Sequence, residues 1–286
     1  YWCVLMTTMT LKKLNKRIPV SGLGPDWLGV KVLVTESGFD HPQFHVDSYG
    51  FNLGAHVGDC LADVRDRRSS TEQEMGAPVV WLNQVHGCQV FNANLASDAH
   101  SSRTAPPGAD ASVSVSSDVT LAIMTADCLP VVFVALSKSG KALGVAAAHA
   151  GWRGLHAGVL QASASALSQA CKVPLTQIKA WMGPAIGPDS FEVGAEVFQA
   201  FAEQNASSVD CFKPCAALTD KPEKYMADLY ALARLALREL GDANIEGGGY
   251  DTFTDPRWFS HRRGQQQGVQ SGRFATLIRL LPEHGA

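Results

Sequence analysis

Residues 146–154 read AAAHAGWRG, and the fold turns on how this stretch is read. It completes an apolar run that begins at Ala142, ALGVAAA, with the small residues and length of a buried strand. The run ends on an imidazole, His149. Gly151, Trp152, Arg153 and Gly154 follow at once, and a helical pattern sets in near His156. A core strand needs no such ending and neither does a surface turn, so the end of this strand is a place where something is held.

Working outward, other short apolar runs bounded by turn residues predict further strands: 30–35, 79–85, 121–126, 131–136, 178–183 and 274–280. Several are apolar on both faces. Helical spacing appears at 156–170, 194–204 and 224–240, the last stopping at Gly241. Segment 97–110, SDAHSSRTAPPGAD, reads as a loop. Strands dominate the first half and helices intervene later, which predicts a single mixed α/β domain over 21–286. The opening YWCVLMTTMT lacks the basic start and cleavage site of a secretory signal. It is set aside, and residues 1–20 are expected to be a poorly ordered or non-native leader.

Composition narrows the function classes. Of 286 residues, 46% are hydrophobic and 18% charged, ample for a core. A formal net charge of −3 without a long basic run argues against a nucleic-acid partner. No apolar stretch reaches the roughly 20 residues that cross a bilayer. Seven cysteines, an odd number without framework spacing, suit free thiols in a reducing, cytoplasmic setting.

The candidate chemistry sits at three predicted strand ends. WLNQVHG delivers His86, MTADCLP delivers Cys128 after Asp127, and AAAHAGWRG delivers His149. Separations of 42 and 21 residues are too long for a finger-type site but suit ligands gathered by adjacent strands. Two imidazoles and a thiolate fill three positions of a tetrahedral zinc ion and leave the fourth open. The same residues allow a cysteine nucleophile, Cys128 with His149 as base and Asp127 nearby, or a mononuclear copper centre. Taken singly, each also reads as an inert core cysteine or a structural histidine. A multicopper oxidase is disfavoured, because the nine histidines contain no His-x-His pair.

Arg153, between two glycines at the start of a helical pattern, is the candidate partner of a phosphate or carboxylate; the plainer alternative is an internal salt bridge. WFSHRRGQQQGVQSGR adds Arg262 and Arg273 in what reads as a shaped loop, and FNLGAHVGD sets Asn52 and His56 between glycines. These five residues are the candidate substrate contacts.

FNLGAHVGD, WLNQVHG, GADASVSV, TADCLPV, AHAGWRG, GPAIGPDSFEV and FSHRR…SGR occur in order across residues 51–273. Together they resemble the YfiH-type family, once labelled multicopper polyphenol oxidases or laccases and later described as purine nucleoside phosphorylases. The resemblance implies a single-domain α/β/β/α sandwich with one metal, zinc or alternatively copper, on the positions of His86, Cys128 and His149. It also implies phosphorolysis of adenosine, inosine and methylthioadenosine and deamination of adenosine. The expected partners are a purine nucleoside and phosphate, and the expected state a monomer or homodimer. Two departures stand out: Asp251-Thr252 where the family often has Cys-Thr, and His261 where it often has Tyr.

Overall fold

The computed structural model describes residues 18–39, 49–215 and 224–282. In chain order the first elements are β1 (Val30–Val34), α1 (Leu61–Met75), β2 (Val79–Val80), β3 (Val90–Asn92), α2 (Ala96–Ser102) and β4 (Ala111–Ser114). Next come β5 (Thr120–Thr125), β6 (Leu129–Leu136), β7 (Ala142–Ala150), α3 (Trp152–His156), α4 (Val159–Cys171) and β8 (Ile178–Met182). The last are β9 (Glu192–Gly194), α5 (Ala195–Gln204), β10 (Phe212–Pro214), β11 (Lys224–Ala227), α6 (Leu229–Leu237), β12 (Ile245–Gly247), α7 (His261–Gln267) and β13 (Phe274–Leu280).

Two sheets lie face to face. One has the order β1-β13-β5-β2 and the other β12-β8-β6-β7-β4-β3, with a small sheet β10-β11-β9 beside them. Side-chain alternation explains the layering. On β6, Leu129, Val131 and Phe133 join the cluster shared with α4, α5 and α6, while Val132 and Val134 join Ile123, Phe274 and Ile278 of the facing sheet. On the outer face of the four-stranded sheet, Leu33, Ala122 and Leu277 cluster with Met75 of α1. Helix, sheet, sheet, helix is the expected α/β/β/α sandwich. Each fully buried Val, Leu or Phe contributes about 1.5–3 kcal/mol, so β6 and β7 give the strand ends a stiff footing.

Several expectations are corrected. The run 79–85 is a strand only at Val79–Val80, and loop follows. The helix expected at 156–170 is α4, which starts only at Val159, because Gly158 takes a left-handed φ of 89° and separates it from the short α3 that ends at His156. The 224–240 pattern begins as strand β11, paired with β9 and β10. Asp228 then caps α6, its carboxylate accepting the Ala231 N–H at 2.9 Å. Segment 97–110 holds most of α2, and the shaped loop after residue 258 holds α7. Helix α1 escaped periodicity because its buried stripe, Val64, Arg67, Thr71 and Met75, is half polar. Of the expected leader, residues 1–17 lie outside the described residues, but Ile18 is buried in the core and Val20 bridges Thr35.

Candidate metal centre

β4 and β6 both pair antiparallel with β7, Ala111 opposite Ala148 and Pro130 opposite His149. That register brings the start of β4, the start of β6 and the end of β7 to one edge of the sheet. Cys128 immediately precedes β6 and His149 is the penultimate residue of β7. His86 arrives differently from the expectation: it lies in the loop beyond β2, with a left-handed φ of 62°.

Asp110, just before β4, holds both imidazole-bearing segments. One carboxylate oxygen accepts the His86 N–H at 2.9 Å, the other those of Val85 and Gly87 at 3.1 and 2.7 Å. Successive N–H groups around a left-handed residue form a concave anion seat, which gives His86 its unusual backbone. His149 Nδ1 donates to Asp110 Oδ1 at 2.8 Å, and the His149 N–H donates to the Asp110 carbonyl at 2.7 Å. With Nδ1 protonated and engaged, His149 presents Nε2 as its free donor atom.

The metal-binding atoms of His86, Cys128 and His149 lie within 4.8 Å of one another. Cys128 Sγ is 3.8 Å from His86 Nε2. Tetrahedral zinc with bonds of about 2.3 Å to sulfur and 2.0–2.1 Å to nitrogen needs roughly 3.5 Å between them, so the donor set fits such an ion. Without a metal the pair is strongly polarised. Burial alone would raise the Cys128 thiol, but the charge of His149 and hydrogen bonds from both imidazoles bring it down to about 6. Burial would lower His149, but the Cys128 thiolate and the Asp110 carboxylate hold it up. A lowered thiol pKa means thiolate persists at lower pH. In metal-free protein, alkylation of Cys128 is therefore expected to rise with a midpoint near pH 6, against about 8.5 for an ordinary cysteine. Mass-spectrometric labelling against pH checks this; a midpoint above 8 contradicts it.

The glycines of the opening stretch now have reasons. A methyl group on Gly151 would lie 2.9 Å from both Cys128 Sγ and His86 Cδ2, and one on Gly154 would lie 2.9 Å from the Gly87 carbonyl. The close approach is thus to the two donor side chains and to the His86 loop. Gly151 has an ordinary φ of −63°, so Gly151→Ala acts by crowding alone. It is expected to weaken metal affinity about 10–100-fold, the range for disturbed outer contacts, with circular dichroism unchanged. Metal content after dialysis against a chelator reads this, and wild-type retention contradicts it.

His86 and Cys128 open onto a cavity of about 560 Å³, its mouth included. Trp152, Phe191, Ile186 and Leu229 form apolar walls, while Asp127, Arg153, His261, Arg262 and Gln265 add polar groups. The Arg153 guanidinium stacks 4.6 Å over Trp152, and that of Arg262 lies 5.8 Å from the Phe191 ring. No ion pair engages Arg153 among the described residues.

A family profile described as "Multi-copper polyphenol oxidoreductase laccase" matches residues 34–281. The chain belongs to the YfiH family. A purine nucleoside phosphorylase of Pseudomonas aeruginosa is 42% identical over 262 residues, covering 90% of this chain and 98% of that protein. Purine nucleoside phosphorylase YfiH of Escherichia coli is 42% identical over 233 residues, covering 80% and 86%. The crystal structure of a Neisseria meningitidis protein matches with a TM-score of 0.73 at 38% identity, over 93% of this chain and all of that one.

Within this YfiH-family chain the remaining candidates fall into two groups. Arg153 and Arg262 line the cavity. His56 and Arg273 sit on an adjoining corner rather than in its lining, with Arg273 close enough to feel the charges of Cys128 and Asp127. Asn52 is fully buried and committed: its amide donates to the Gly54 carbonyl and Asp59, and its oxygen accepts the N–H groups of Gly54 and Arg273. It is framework for that corner, placed behind the cavity. Asp251 is likewise structural, accepting from Gly187, Phe253 and Ser190. The His261 departure does reach the cavity, and partial burial followed by the charge of Arg273 lowers its imidazole pKa.

Asp110 escaped the sequence reading, whereas Asp127, expected beside Cys128 and His149, is held by other partners and Asp110 takes the place on His149. Asp110 lay in view inside GADASVSV, and an acid placed directly before a run of small strand residues was the available signal. Asp127 joins the cavity to α7: its carboxylate accepts the Thr252 hydroxyl and the Arg262 N–H, both at 2.7 Å. Among the described residues no helix is long and apolar enough to cross a membrane.

Proposed function

We propose that this protein is a zinc-dependent purine nucleoside phosphorylase acting on adenosine, inosine and methylthioadenosine, with adenosine deamination as a second activity. One observation carries the reading most directly: a two-histidine, one-cysteine cluster opens onto an aromatic-walled, cation-rimmed cavity. The names of its P. aeruginosa and E. coli relatives support it.

The chain's own residues account for much of the chemistry. Trp152 and Phe191 offer flat apolar surfaces to a purine. Arginines around the cavity supply the positive field that draws in phosphate and holds it in line with the ribose. Phosphate oxygen bonds to C1′ as the C1′–N9 bond breaks, and the purine leaves with that electron pair and takes a proton. The sugar carries positive charge in between, so a fixed dianion on one face stabilises it. His86, Cys128 and His149 would hold the zinc, and when bound it supplies a Lewis acid at the cavity wall.

The cluster also has the parts of a cysteine hydrolase, Cys128 and His149, with Asp110 rather than the expected Asp127 on His149 Nδ1. His86 speaks for the metal instead, since a nucleophile needs no second imidazole on its sulfur. A copper centre is the reading that the family's older description favours. The described residues hold one cluster of this kind, where a multicopper centre needs several.

The test incubates metal-analysed protein with each nucleoside, with and without phosphate. Phosphate-dependent release of free base and ribose 1-phosphate, with zinc near one per chain, is expected. Base release that ignores phosphate, or turnover with no metal bound, overturns the proposal.

A further inference from the structure

Arg68 and Arg273 converge on one corner of the FNLGAHVGD loop. Arg68, on α1, donates its Nε–H to the Leu53 carbonyl at 2.9 Å, and its guanidinium lies 4.2 Å over the Trp81 ring. Arg273 accepts the Leu53 N–H on its carbonyl at 2.9 Å. Its side chain packs so closely that a methyl on Gly54 would meet its Cγ at 2.9 Å. His56 follows two residues later, and desolvation with the charges of Arg273 and then Arg68 lowers its pKa. Among the described residues neither arginine has an ion-pair partner. Asp59, the carboxylate within this loop, is paired to the neighbouring Arg67. Glu72, which acts on Arg68, is paired to Arg103 at 2.6 Å. Asp127, which acts on Arg273, is occupied by Thr252 and Arg262.

Two half-buried guanidiniums and an imidazole are gathered with no carboxylate paired to either guanidinium, and burial brings Arg68 down to about 10. Arg273 Nη1 donates to the Ser271 and Gly272 carbonyls at 2.8 and 2.9 Å, which fixes the group and leaves the rest of its fork for a ligand. Such a site is stabilised by an anion, and guanidinium forks suit a tetrahedral oxyanion. Arg273 links the corner to the metal cluster, since Cys128 and Asp127 both act on it. Arg153, by contrast, is spread over Trp152 inside the apolar cavity.

We propose that inorganic phosphate seats on the corner formed by His56, Arg68 and Arg273, leaving the cavity with Arg153 and Arg262 to the nucleoside. This rests on the phosphorylase reading for its purpose, but the anion site itself is tested without turnover.

The experiment titrates inorganic phosphate into zinc-loaded protein by calorimetry. Arg68→Met keeps an unbranched side chain at this position and removes the guanidinium with its charge; it is expected to weaken phosphate binding about tenfold or more. Arg153→Ala is expected to change it less than about twofold. Arg68→Lys, which keeps the charge but not the fork, should fall between wild type and Arg68→Met. Should Arg68→Met fail to fold, His56→Gln, at an exposed position, carries the test with an expected loss of about threefold. In turnover with inosine, the KM for phosphate should rise in step while that for inosine holds. Phosphate that binds wild type and not Arg68→Met upholds the site even if no nucleoside is cleaved, which would sink the functional reading alone. Unchanged affinity in both Arg68→Met and His56→Gln, a loss confined to Arg153→Ala, or binding only of a nucleoside 5′-monophosphate would each overturn the site.

Discussion

Cys128→Ser is expected to purify with less than about one tenth of the wild-type zinc, and its phosphorolysis should fall with the metal. The thiolate contributes the negative charge of the three donor groups, and a neutral hydroxyl replaces it poorly. His86→Ala and His149→Ala should behave alike. A double substitution should lose little more than a single one, because three groups that hold one ion act as a unit. The fold should survive, since β6 and β7 carry their own buried side chains beyond the cluster. Elemental analysis and turnover on one preparation read the result. Full zinc with wild-type rates in Cys128→Ser would remove the cluster from the mechanism.

Asp110→Asn should have the second largest effect, at a residue that touches no substrate. Its carboxylate accepts three successive N–H groups and the His149 imidazole. An asparagine keeps one acceptor oxygen and turns an NH2 towards donors. His149 is buried, and the three N–H groups lie on a partly exposed loop where water offsets part of the cost. A buried donor left unpaired costs about 1–3 kcal/mol, so a stability loss of up to about 3 kcal/mol is expected. At roughly 2–4 °C per kcal/mol for a chain of this size, Tm falls by up to about 6–12 °C. Metal affinity falls too, about 10–100-fold, because His149 loses the partner that fixes its tautomer and the His86 loop loses its seat. Calorimetric melting and a competitive zinc titration measure the two. A variant that melts earlier yet binds zinc as wild type would make Asp110 a structural residue only.

How far the sequence revealed this protein depends on whether local pattern or tertiary contact fixes each part. The strands at 121–126, 131–136, 142–148 and 274–280 were legible because burial on both faces leaves a continuous apolar run. Helix α1 was not, since its buried stripe contains two polar residues: Arg67, held by the Asn52 and Gly50 carbonyls outside the helix, and Thr71, whose hydroxyl donates to the Arg67 carbonyl. The cluster of His86, Cys128 and His149 was legible as residue types near strand ends, but His86 lies on a loop shaped by Asp110 rather than at a strand end. Arg153 stood out through its glycines, yet Gly151 is small to make room for Cys128 and His86. Arg68 gave no signal within RDRRSS, because its significance comes from Leu53 and Trp81, reached only through the fold.

In the proposed function, one metal on His86, Cys128 and His149 serves purine phosphorolysis. Stepwise chelation of the purified protein tests it most directly, with zinc per chain and phosphate-dependent hypoxanthine release from inosine measured at every step. Activity should fall in proportion to zinc, reach zero with it, and return on remetallation as Cys128 becomes protected from alkylation again. Full activity at zero zinc, with Cys128 freely alkylated, would contradict it.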